Sequence, residues 1–313
     1  MPSESRRSVF VLGTAQLGLP HYGRTNIAGQ PSRAEALDLL RLACDQGVSE
    51  FDTARAYGEA ENLLGEAMVA RVPAARVITK LDPLTSVPID ADAQKVRAAV
   101  DASVFRSCRE LRTNSLPVLL LHRWAHRHQW QGVAWQRLTE LQGEGVLGLL
   151  GASVSSPEEA RAALEDPGVR HLQIPFNLLD TRWIRAGTAS LAEDRPDVIL
   201  HARSIFLQGL LLNPATFWPT IPGVNAVQII QRLDAWVIRL GRIDRMDLCL
   251  AYGRSQPWIQ NLVLGVETPT QLRELITKCG CKPLLPPEAA EVAVDFVDLP
   301  DSLTNPTLWP PRI

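Results

Sequence analysis

The chain has 313 residues, of which 46% are hydrophobic and 21% charged, and its formal net charge is −2. These values are typical of a globular enzyme with a sizeable core, and they exclude the basic footprint of a nucleic-acid-binding protein. No apolar run approaches the ~20 residues that cross a bilayer, and no signal-peptide pattern follows the first residues. The five cysteines, an odd number, favour a reducing compartment. We therefore expect a cytoplasmic protein without nucleic-acid or membrane partners.

Short apolar runs alternate along the chain with stretches whose apolar residues recur at helical spacing. The predicted strands, in chain order, are Val9–Gly13, Glu50–Thr53, Val77–Leu81, Val118–His122, Gly148–Ser153, Leu172–Phe176, Ile199–Ser204 and Leu262–Val266. Their nearly continuous apolar character predicts a parallel sheet that is buried on both faces. A closed barrel and an open doubly wound sheet both fit this alternation. The count of eight units and the chain length favour the α/β class (β/α)8 TIM barrel.

The helical stretches begin with recognisable caps, such as Ser32 followed three residues later by Glu35. The sixth unit is the weakest, because Asp180–Leu191 is a poor helix sequence. The long connection after strand seven is predicted to hold two helices, near residues 224–240 and 247–254. We predict one domain over residues 1–313. Its proline-rich tail, residues 283–313, is predicted to pack on the barrel as irregular chain.

Ionisable residues end three consecutive predicted strands: Asp52, Lys80 and His122, with Tyr57 in the loop after the second strand. In an eight-fold barrel the active site lies at the carboxyl ends of the strands, so these side chains should be neighbours. Each alone could be structural, as a helix cap, an ion-pair partner or a solvated strand end. Found together, they predict a proton-transfer site.

The combination of an acid, a phenol, an amine and an imidazole has a chemical reason. A free phenol has a pKa near 10 and releases its proton reluctantly at neutral pH. A lysine cation beside it would lower that pKa, and an aspartate would hold the lysine charged and in position. Tyr57 is therefore predicted to act as general acid toward an oxygen that gains negative charge, while a neutral His122 orients that oxygen.

The residues in these loops resemble a known family. The matching segments are Gly13-Thr14-Ala15 with Gly18, Asp52-Thr53-Ala54 with Tyr57-Gly58 and Glu61, Thr79-Lys80, Leu120-Leu121-His122, Gly151-Ala152-Ser153, Gln173 with Asn177, and Leu264-Gly265. In this order they resemble aldo-keto reductases, in particular bacterial members that open with Gly-Thr-Ala-Gln-Leu-Gly. The resemblance implies the barrel fold, a tetrad of Asp52, Tyr57, Lys80 and His122, and NAD(P)H-dependent reduction of an aldehyde or ketone. A sugar derivative is one candidate for this small-molecule carbonyl substrate.

The resemblance also implies a set of cofactor-binding residues across the barrel mouth. They are Gly13, Thr14, Ser153, Gln173, Arg203, Ser204, Phe206, Gln208, Gly209, Gly265, Val266, Glu267, Thr268 and Gln271. Arg203 stands where many relatives carry an aromatic residue that stacks on the nicotinamide. Glu267 stands where relatives that prefer NADPH carry Arg, Lys or Ser. The family favours NADP(H), with NAD(H) as the alternative, and no metal is expected.

Two other functions fit the same residues. One is a cofactor-binding regulatory subunit with the same barrel and little turnover. The other is a Schiff-base enzyme in which Lys80 is the nucleophile. A loop with three histidines, His122, His126 and His128, could bind a metal, but we expect His126 and His128 to lie in solvent. The sequence predicts neither the substrate nor the oligomeric state.

Overall fold

The structure is a computed structural model that describes residues 10–20, 22–24, 29–68 and 75–310. Within these ranges eight parallel strands close into a barrel in chain order. The strands are β1 (Val11–Gly13), β2 (Glu50–Asp52), β3 (Arg76–Lys80), β4 (Leu116–Leu121), β5 (Leu147–Ser153), β6 (His171–Pro175), β7 (Ile199–Arg203) and β8 (Asn261–Gly265). The predicted (β/α)8 barrel is confirmed, and β1 pairs with β8, which excludes the open sheet. Val9, the predicted start of the first strand, lies outside the described residues.

Helices follow the strands around the outside of the barrel. In the described ranges they are α1 (Ala15–Gly18), α2 (Arg33–Asp45), α3 (Ala60–Met68), α4 (Ala93–Glu110), α5 (Val133–Gly143), α6 (Pro157–Glu165), α7 (Arg182–Arg185), α8 (Thr188–Glu193), α9 (Ala226–Arg239), α10 (Arg245–Arg254), α11 (Pro269–Lys278), α12 (Pro286–Asp295) and α13 (Asp301–Thr304). Short 3-10 turns cover Trp124–Arg127, Gln129–Gly132, Leu210–Leu212, Ala215–Phe217 and Pro306–Leu308. The capping box at Ser32 and Glu35 forms as predicted. The weak sixth unit consists of α7 and α8, two short helices, and the long connection after β7 holds α9 and α10.

The prediction of an irregular tail is wrong over residues Pro286–Asp295, which form the helix α12. Its two prolines occupy the first helical positions, where the missing N–H groups would have no partner within the helix. Alanine, glutamate and valine follow, and Val292 is fully buried while Phe296 just beyond is also buried. The tail therefore packs on the barrel in part as a regular amphipathic helix.

Two apolar regions hold the barrel together. The larger lies between the strands and the surrounding helices. The smaller fills the barrel interior and consists of buried residues from β1, β3, β4 and β8, with a partly buried residue of β5 packed against it: Val11, Ile78, Val118, Leu120, Val263 and Leu149. Branched side chains in the interior are typical of this fold. They make the barrel a packed support for the residues at its mouth.

The side of the interior formed by β6 and β7 is polar. Gln173 reaches across the barrel to Asp52, so its face of β6 is the inner one, and His171 two residues earlier shares it. The rings of His171 and His201 meet edge to face, with centroids 4.4 Å apart. Both nitrogens of His171 and Nδ1 of His201 are buried without a hydrogen-bond partner among the described residues. Burial holds the pKa of His171 well below its usual value and lowers that of His201 to about 3.

These two histidines predict a loss of stability in acid. Because both bind protons near pH 6.5 only when unfolded, the unfolded state gains protons as the pH falls below that value. The stabilisation is complete above pH 6.5 and is lost toward the folded pKa of about 3 for His201. Each histidine contributes a slope of about 1.4 kcal/mol per pH unit. Urea unfolding between pH 7 and 4.5 measures the free energy of unfolding against pH. The slope of this plot should be shallower in His201→Leu than in the unsubstituted protein by about that amount.

The exposed His128 supplies the control, since His128→Gln removes a histidine that solvent already reaches. Its pH slope should equal that of the unsubstituted protein. Equal slopes for His201→Leu and the unsubstituted protein would contradict the assignment of the acid sensitivity to the buried pair.

No helix in the described parts of the chain combines the length and the apolar character that a membrane span requires.

Candidate active site

The four predicted catalytic residues meet at the carboxyl ends of β2, β3 and β4. Lys80 Nζ lies 2.8 Å from both carboxylate oxygens of Asp52 and donates a third hydrogen bond to the Thr53 carbonyl oxygen at 3.0 Å. Lys80 Nζ also lies 5.2 Å from the centre of the Tyr57 ring. The His122 ring meets the Tyr57 ring edge-on, with centroids 6.0 Å apart. The predicted strand ends therefore bring together a carboxylate, an ammonium group, a phenol and an imidazole.

The protonation states follow from burial. Burial, and then the Asp52 carboxylate, raise the pKa of Tyr57 above its usual value. This corrects the expectation of a lowered pKa, because the raising effects of burial and of Asp52 exceed the lowering effect of the nearby cation Arg203. Burial and the Lys80 cation lower the pKa of His122 to about 3. At neutral pH the site therefore holds a protonated phenol and a neutral imidazole, and the phenol can donate its proton.

A buried network of charges supports the loop that carries Tyr57. Arg55 contacts Glu61 and lies 2.7 Å from a carboxylate oxygen of Glu110. Glu61 is fully buried and accepts a hydrogen bond of 2.6 Å from the Thr79 hydroxyl, next to Lys80. Because Arg55 and Glu61 lie on either side of Tyr57 in the chain, this network fixes both ends of the loop. The loop geometry is therefore held by β3 and α4 rather than by solvent-exposed contacts.

Two glycines allow the loop after β1 to approach the Tyr57 loop. A Cβ atom at Gly18 would lie 1.9 Å from the Tyr57 carbonyl oxygen, and one at Gly58 would lie 2.3 Å from the Gly18 carbonyl oxygen. Gly58 also has a φ of +53°, in the left-handed region that glycine tolerates best. Any side chain at either position would push the two loops apart and displace Tyr57.

A cavity of about 260 Å³ opens at this end of the barrel, and both Asp52 and Tyr57 line it. Most of the predicted cofactor-binding residues line it too: Gly13, Arg203, Ser204, Phe206, Gln208, Gly209, Gly265, Val266, Glu267 and Gln271. The other four, Thr14, Ser153, Gln173 and Thr268, are not among the lining residues. The hydroxyl of Thr14 donates to the Asp52 carbonyl oxygen, and that of Thr268 caps α11 by accepting from the Gln271 N–H. Lys80 and His122 are not among the lining residues either, and contact the cavity wall through Asp52 and Tyr57.

Gln173 and Asn177 carry buried polar atoms that lack a partner among the described residues. Gln173 donates to Asp52 at 2.7 Å, but its Oε1 accepts nothing, and Asn177 Nδ2 donates to nothing. Buried polar groups of this kind usually have a partner, so the unmatched acceptor and donor need one. A carboxamide offers the complementary N–H and C=O groups. Neither residue lines the cavity, but the unmatched acceptor and donor are complementary to these groups.

The cavity wall after β7 has a strained backbone. Ser204, Leu207 and Gln208 have φ values of +63°, +47° and +52° although none is a glycine. Left-handed backbone at such residues costs about 1 kcal/mol or more each and persists where the surroundings impose it. The turn is held by hydrogen bonds from the Leu207 N–H to Ser204 and from the Gly209 N–H to Phe206. These hydrogen bonds hold the turn, and with it this wall of the cavity, in the strained conformation.

Sequence reasoning missed several residues of the cavity wall. Gln16 lines the cavity and packs against Gly265, where a Cβ atom would lie 2.3 Å from its side-chain nitrogen. Its place in the Gly-Thr-Ala-Gln-Leu-Gly segment could have indicated it. Asn213 and Met246 come from the long connection after β7, where no local pattern distinguishes them. Tyr22 was not missed: its place after the first strand fits pocket lining and ordinary packing equally well, and it lines the cavity with its ring centre 6.3 Å from that of Tyr57.

The histidine loop after β4 differs from the expectation. His128 is exposed as expected, but His126 is buried and its ring centre lies 5.4 Å from that of Trp130. The 3-10 turn that begins at Trp124 carries His126 inward. Among the described residues no group of three or more His, Cys, Asp or Glu side chains is arranged to hold a metal ion.

Comparison with known proteins gives a consistent result. A sequence profile of the Aldo/keto reductase family matches residues 10–293. A curated relative, the 6-dehydroglucose reductase of Novosphingobium aromaticivorans, is 26% identical over 262 residues, which cover 67% of this chain and 83% of that protein.

Solved structures share the fold. An aldo-keto reductase from Bacillus halodurans in its holo form superposes with a TM-score of 0.73 and 18% identity, over 90% of both chains. A glycerol dehydrogenase from Gluconobacter oxydans superposes with a TM-score of 0.71 and 20% sequence identity, over 94% of both chains. An aldo/keto reductase from Klebsiella pneumoniae, in complex with NADP and acetate, superposes with a TM-score of 0.67 and 18% sequence identity. The superposition covers 93% of this chain and 92% of that one.

Proposed function

The chain belongs to the aldo/keto reductase family, and from that premise we propose that it reduces an aldehyde or ketone to the alcohol with NAD(P)H as cofactor. The observation that carries the proposal is the set of four side chains at adjacent strand ends, with the Lys80 ammonium held by both oxygens of Asp52. The name of the 6-dehydroglucose reductase supports a sugar derivative as one candidate substrate.

Each side chain has a distinct task in this proposal. Tyr57 donates its proton to the carbonyl oxygen as negative charge develops there. His122, neutral because burial lowers its pKa to about 3, orients the same oxygen without competing for the proton. Lys80 stabilises the phenolate that remains on Tyr57, and Asp52 keeps Lys80 protonated. The hydride that completes the reduction is what a bound nicotinamide cofactor supplies.

Residues at the end of β6, in the cavity wall and at the start of α11 support a dinucleotide. Gln173 and Asn177 offer the acceptor and donor that a nicotinamide carboxamide needs. Ser204, Gln208 and Gly209 line the strained turn after β7, and α11 begins at Pro269 beside Glu267. The N-terminus of a helix favours negative charge, which suits a phosphate. The presence of NADP in the Klebsiella pneumoniae structure supports the same cofactor class.

The geometry of Lys80 disfavours the Schiff-base alternative. All three of its N–H groups are used, two toward Asp52 and one toward the Thr53 carbonyl oxygen. A nucleophilic amine must be neutral and have a free lone pair. Although burial lowers the pKa of Lys80, the Asp52 carboxylate opposes the shift and keeps the cation.

A panel of aldehydes and ketones tests the proposal directly. The purified protein should oxidise NADPH or NADH, followed by the fall in nicotinamide absorbance, with at least one carbonyl compound of the panel. Saturable quenching of protein fluorescence by the cofactor, combined with no turnover of any carbonyl compound, would contradict the proposal and support the regulatory subunit instead.

The choice between the two cofactors depends on Glu267. The family favours NADP(H), which we propose, but the Glu267 carboxylate lines the cavity and is not part of any ion pair formed by the described residues. Lys278, which could offset it, is engaged by Asp244 and Glu274. A carboxylate repels a 2′-phosphate and accepts hydrogen bonds from a ribose hydroxyl, which favours NAD(H).

Glu267→Gln should therefore lower the KM for NADPH by about tenfold, equivalent to about 1.4 kcal/mol, and change the KM for NADH little. Steady-state kinetics with both cofactors measure the ratio. Glu165→Gln, an exposed acid at the end of α6, is the control and should leave the ratio unchanged. An unaltered ratio in Glu267→Gln would show that this carboxylate does not meet the 2′-phosphate.

A further inference from the structure

Arg203 at the end of β7 has donors that nothing in the described chain accepts. Its side chain lines the same cavity as Tyr57 and Tyr22. One N–H donates to the Val154 carbonyl oxygen at 3.2 Å and another to the Ser204 hydroxyl at 3.4 Å, both uncharged acceptors at long distances. A guanidinium has five N–H groups, so three remain without a partner among the described residues.

The charge of Arg203 is also without a counter-ion in the described part of the chain. The two acidic residues of the cavity wall, Asp52 and Glu267, form no ion pair with Arg203 among the described residues. Asp52 binds Lys80 with both oxygens. Burial raises the pKa of Glu267, and no ion pair joins Glu267 to Arg203 among the described residues. In contrast, the buried Arg55 lies 2.7 Å from Glu110. A half-buried cation without an anion is costly, and such groups mark functional sites.

Arg203 acts electrostatically on the catalytic groups. Its cation lowers the pKa of Tyr57 and of Tyr22, against the larger effect of burial, and it also contributes to the lowered pKa of His122. The guanidinium therefore lies within range of the proposed proton donor. Because Arg203 and Tyr57 line the same cavity, an anion that pairs with Arg203 there would share that cavity with the proposed proton donor.

We propose that Arg203 binds a carboxylate of the substrate, and that the protein acts on carbonyl compounds that carry a carboxylate, such as oxo acids and acidic sugar derivatives. This inference rests on the proposed reductase function. The planar guanidinium matches a carboxylate through two parallel hydrogen bonds, and three of its N–H groups are available. The phosphates of a dinucleotide are separated from its nicotinamide by a ribose, so an anion beside Tyr57 is better supplied by the substrate.

Pairs of aldehydes that differ only in charge test the proposal. They are 4-oxobutanoate with its methyl ester, and 4-carboxybenzaldehyde with its methyl ester. The unsubstituted protein should favour the charged member by about 30-fold or more in kcat/KM, chiefly through KM. Arg203→Met should remove this preference, and Arg203→Lys, which keeps the charge but loses the fork, should retain part of it. Arg161→Met, at an exposed arginine of α6, should behave as the unsubstituted protein.

Two results would overturn the inference. One is equal kcat/KM for charged and neutral members in the unsubstituted protein. The other is a preference that survives in Arg203→Met while the affinity for NADPH falls, because Arg203 would then belong to the cofactor site. Retained cofactor binding in Arg203→Lys shows that the variant is folded, so a lost preference there is informative.

Calorimetric titration with benzoate, without cofactor and with saturating NADPH, separates this inference from the reductase function. Benzoate should bind the unsubstituted protein at least about tenfold more tightly than Arg203→Met, and benzamide should not distinguish them. Arg203-dependent benzoate binding in a protein that reduces no aldehyde would refute the reductase function and support the carboxylate site. Reduction of charged and neutral aldehydes alike, without benzoate binding, would refute the inference alone.

Discussion

Tyr57→Phe should lower kcat by about 10²–10⁴-fold and leave the affinity for the cofactor little changed. The reason is that the substitution removes one oxygen, the proposed source of the proton, and keeps the ring that contacts His122. Burial raises the pKa of Tyr57, so the phenol is protonated across the working range and its proton is available. Single-turnover rates with a saturating carbonyl compound and NAD(P)H measure the loss, and fluorescence titration measures cofactor binding.

The chain provides a matched control in Tyr22. It lines the same cavity, its ring centre is 6.3 Å from that of Tyr57, and burial raises its pKa to about 12. The Lys80 ammonium, however, lies over the Tyr57 ring, and the His122 ring contacts only Tyr57 of the two. Tyr22→Phe should therefore leave kcat nearly unchanged. Equal losses in the two variants would mean that either phenol can supply the proton, and an unchanged rate in Tyr57→Phe would remove it as the acid.

Three of the four proposed catalytic residues could be placed from the sequence because each of them lies at the end of a short strand, and Tyr57 follows in the loop after β2. Lys80 and His122 follow stretches that only a buried strand explains, and parallel strands in a barrel present their carboxyl ends at one mouth. Chain order then makes β2, β3 and β4 neighbours, so contacts between residues 28 positions apart follow from topology. The raised pKa of Tyr57 did not follow from the sequence, because it depends on how far the folded loops exclude water and on where the Asp52 carboxylate lies.

Other parts of the site lack a local signal altogether. Asn213 and Met246 reach the cavity from a connection whose path is set by the packing of α9 and α10, so neither spacing nor composition could place them. The helix α12 was missed because prolines were interpreted as irregular chain, although Pro286 and Pro287 occupy the positions at which helices accept proline. The deciding contacts are tertiary for Asn213 and Met246, whereas the signal for α12 was local and was misinterpreted.

The second large effect concerns the buried ion pair behind Tyr57. Lys80 is 1% exposed and Asp52 is 4% exposed, so removing one partner leaves the other charge in the protein interior. Asp52→Asn and Lys80→Met should each lower the free energy of unfolding by about 3–5 kcal/mol. Both variants should also lose turnover. Asp52→Asn removes the carboxylate that holds Lys80, and Lys80→Met removes the cation itself. Urea unfolding and steady-state rates measure the two effects separately.

The double variant Asp52→Asn with Lys80→Met separates stability from catalysis. It contains neither charge, and the amide that replaces the Asp52 carboxylate retains an oxygen that can accept the hydrogen bond from Gln173. The double variant should therefore recover most of the lost stability, because a buried ion pair contributes little beyond what uncharged residues of similar volume provide. Its turnover should stay as low as in the single variants. Strictly additive stability losses would contradict the pairing of these two side chains.

The pH dependence of the single variants gives the sign of each unpaired charge. In Asp52→Asn the carboxylate that opposes the burial of Lys80 is gone, so the pKa of Lys80 falls further below its unfolded value. Once Lys80 is neutral in the fold, the unfolded state binds more protons, so stability rises with pH up to the pKa of the unfolded lysine. In Lys80→Met the buried carboxylate is relieved by taking up a proton, so stability rises as the pH falls. Opposite slopes of the free energy of unfolding against pH in the two variants would identify Asp52 and Lys80 as a charged pair. Slopes of the same sign would mean that the two side chains are not an ammonium and a carboxylate. Lys80 would then lack the positive charge that is proposed to stabilise the Tyr57 phenolate.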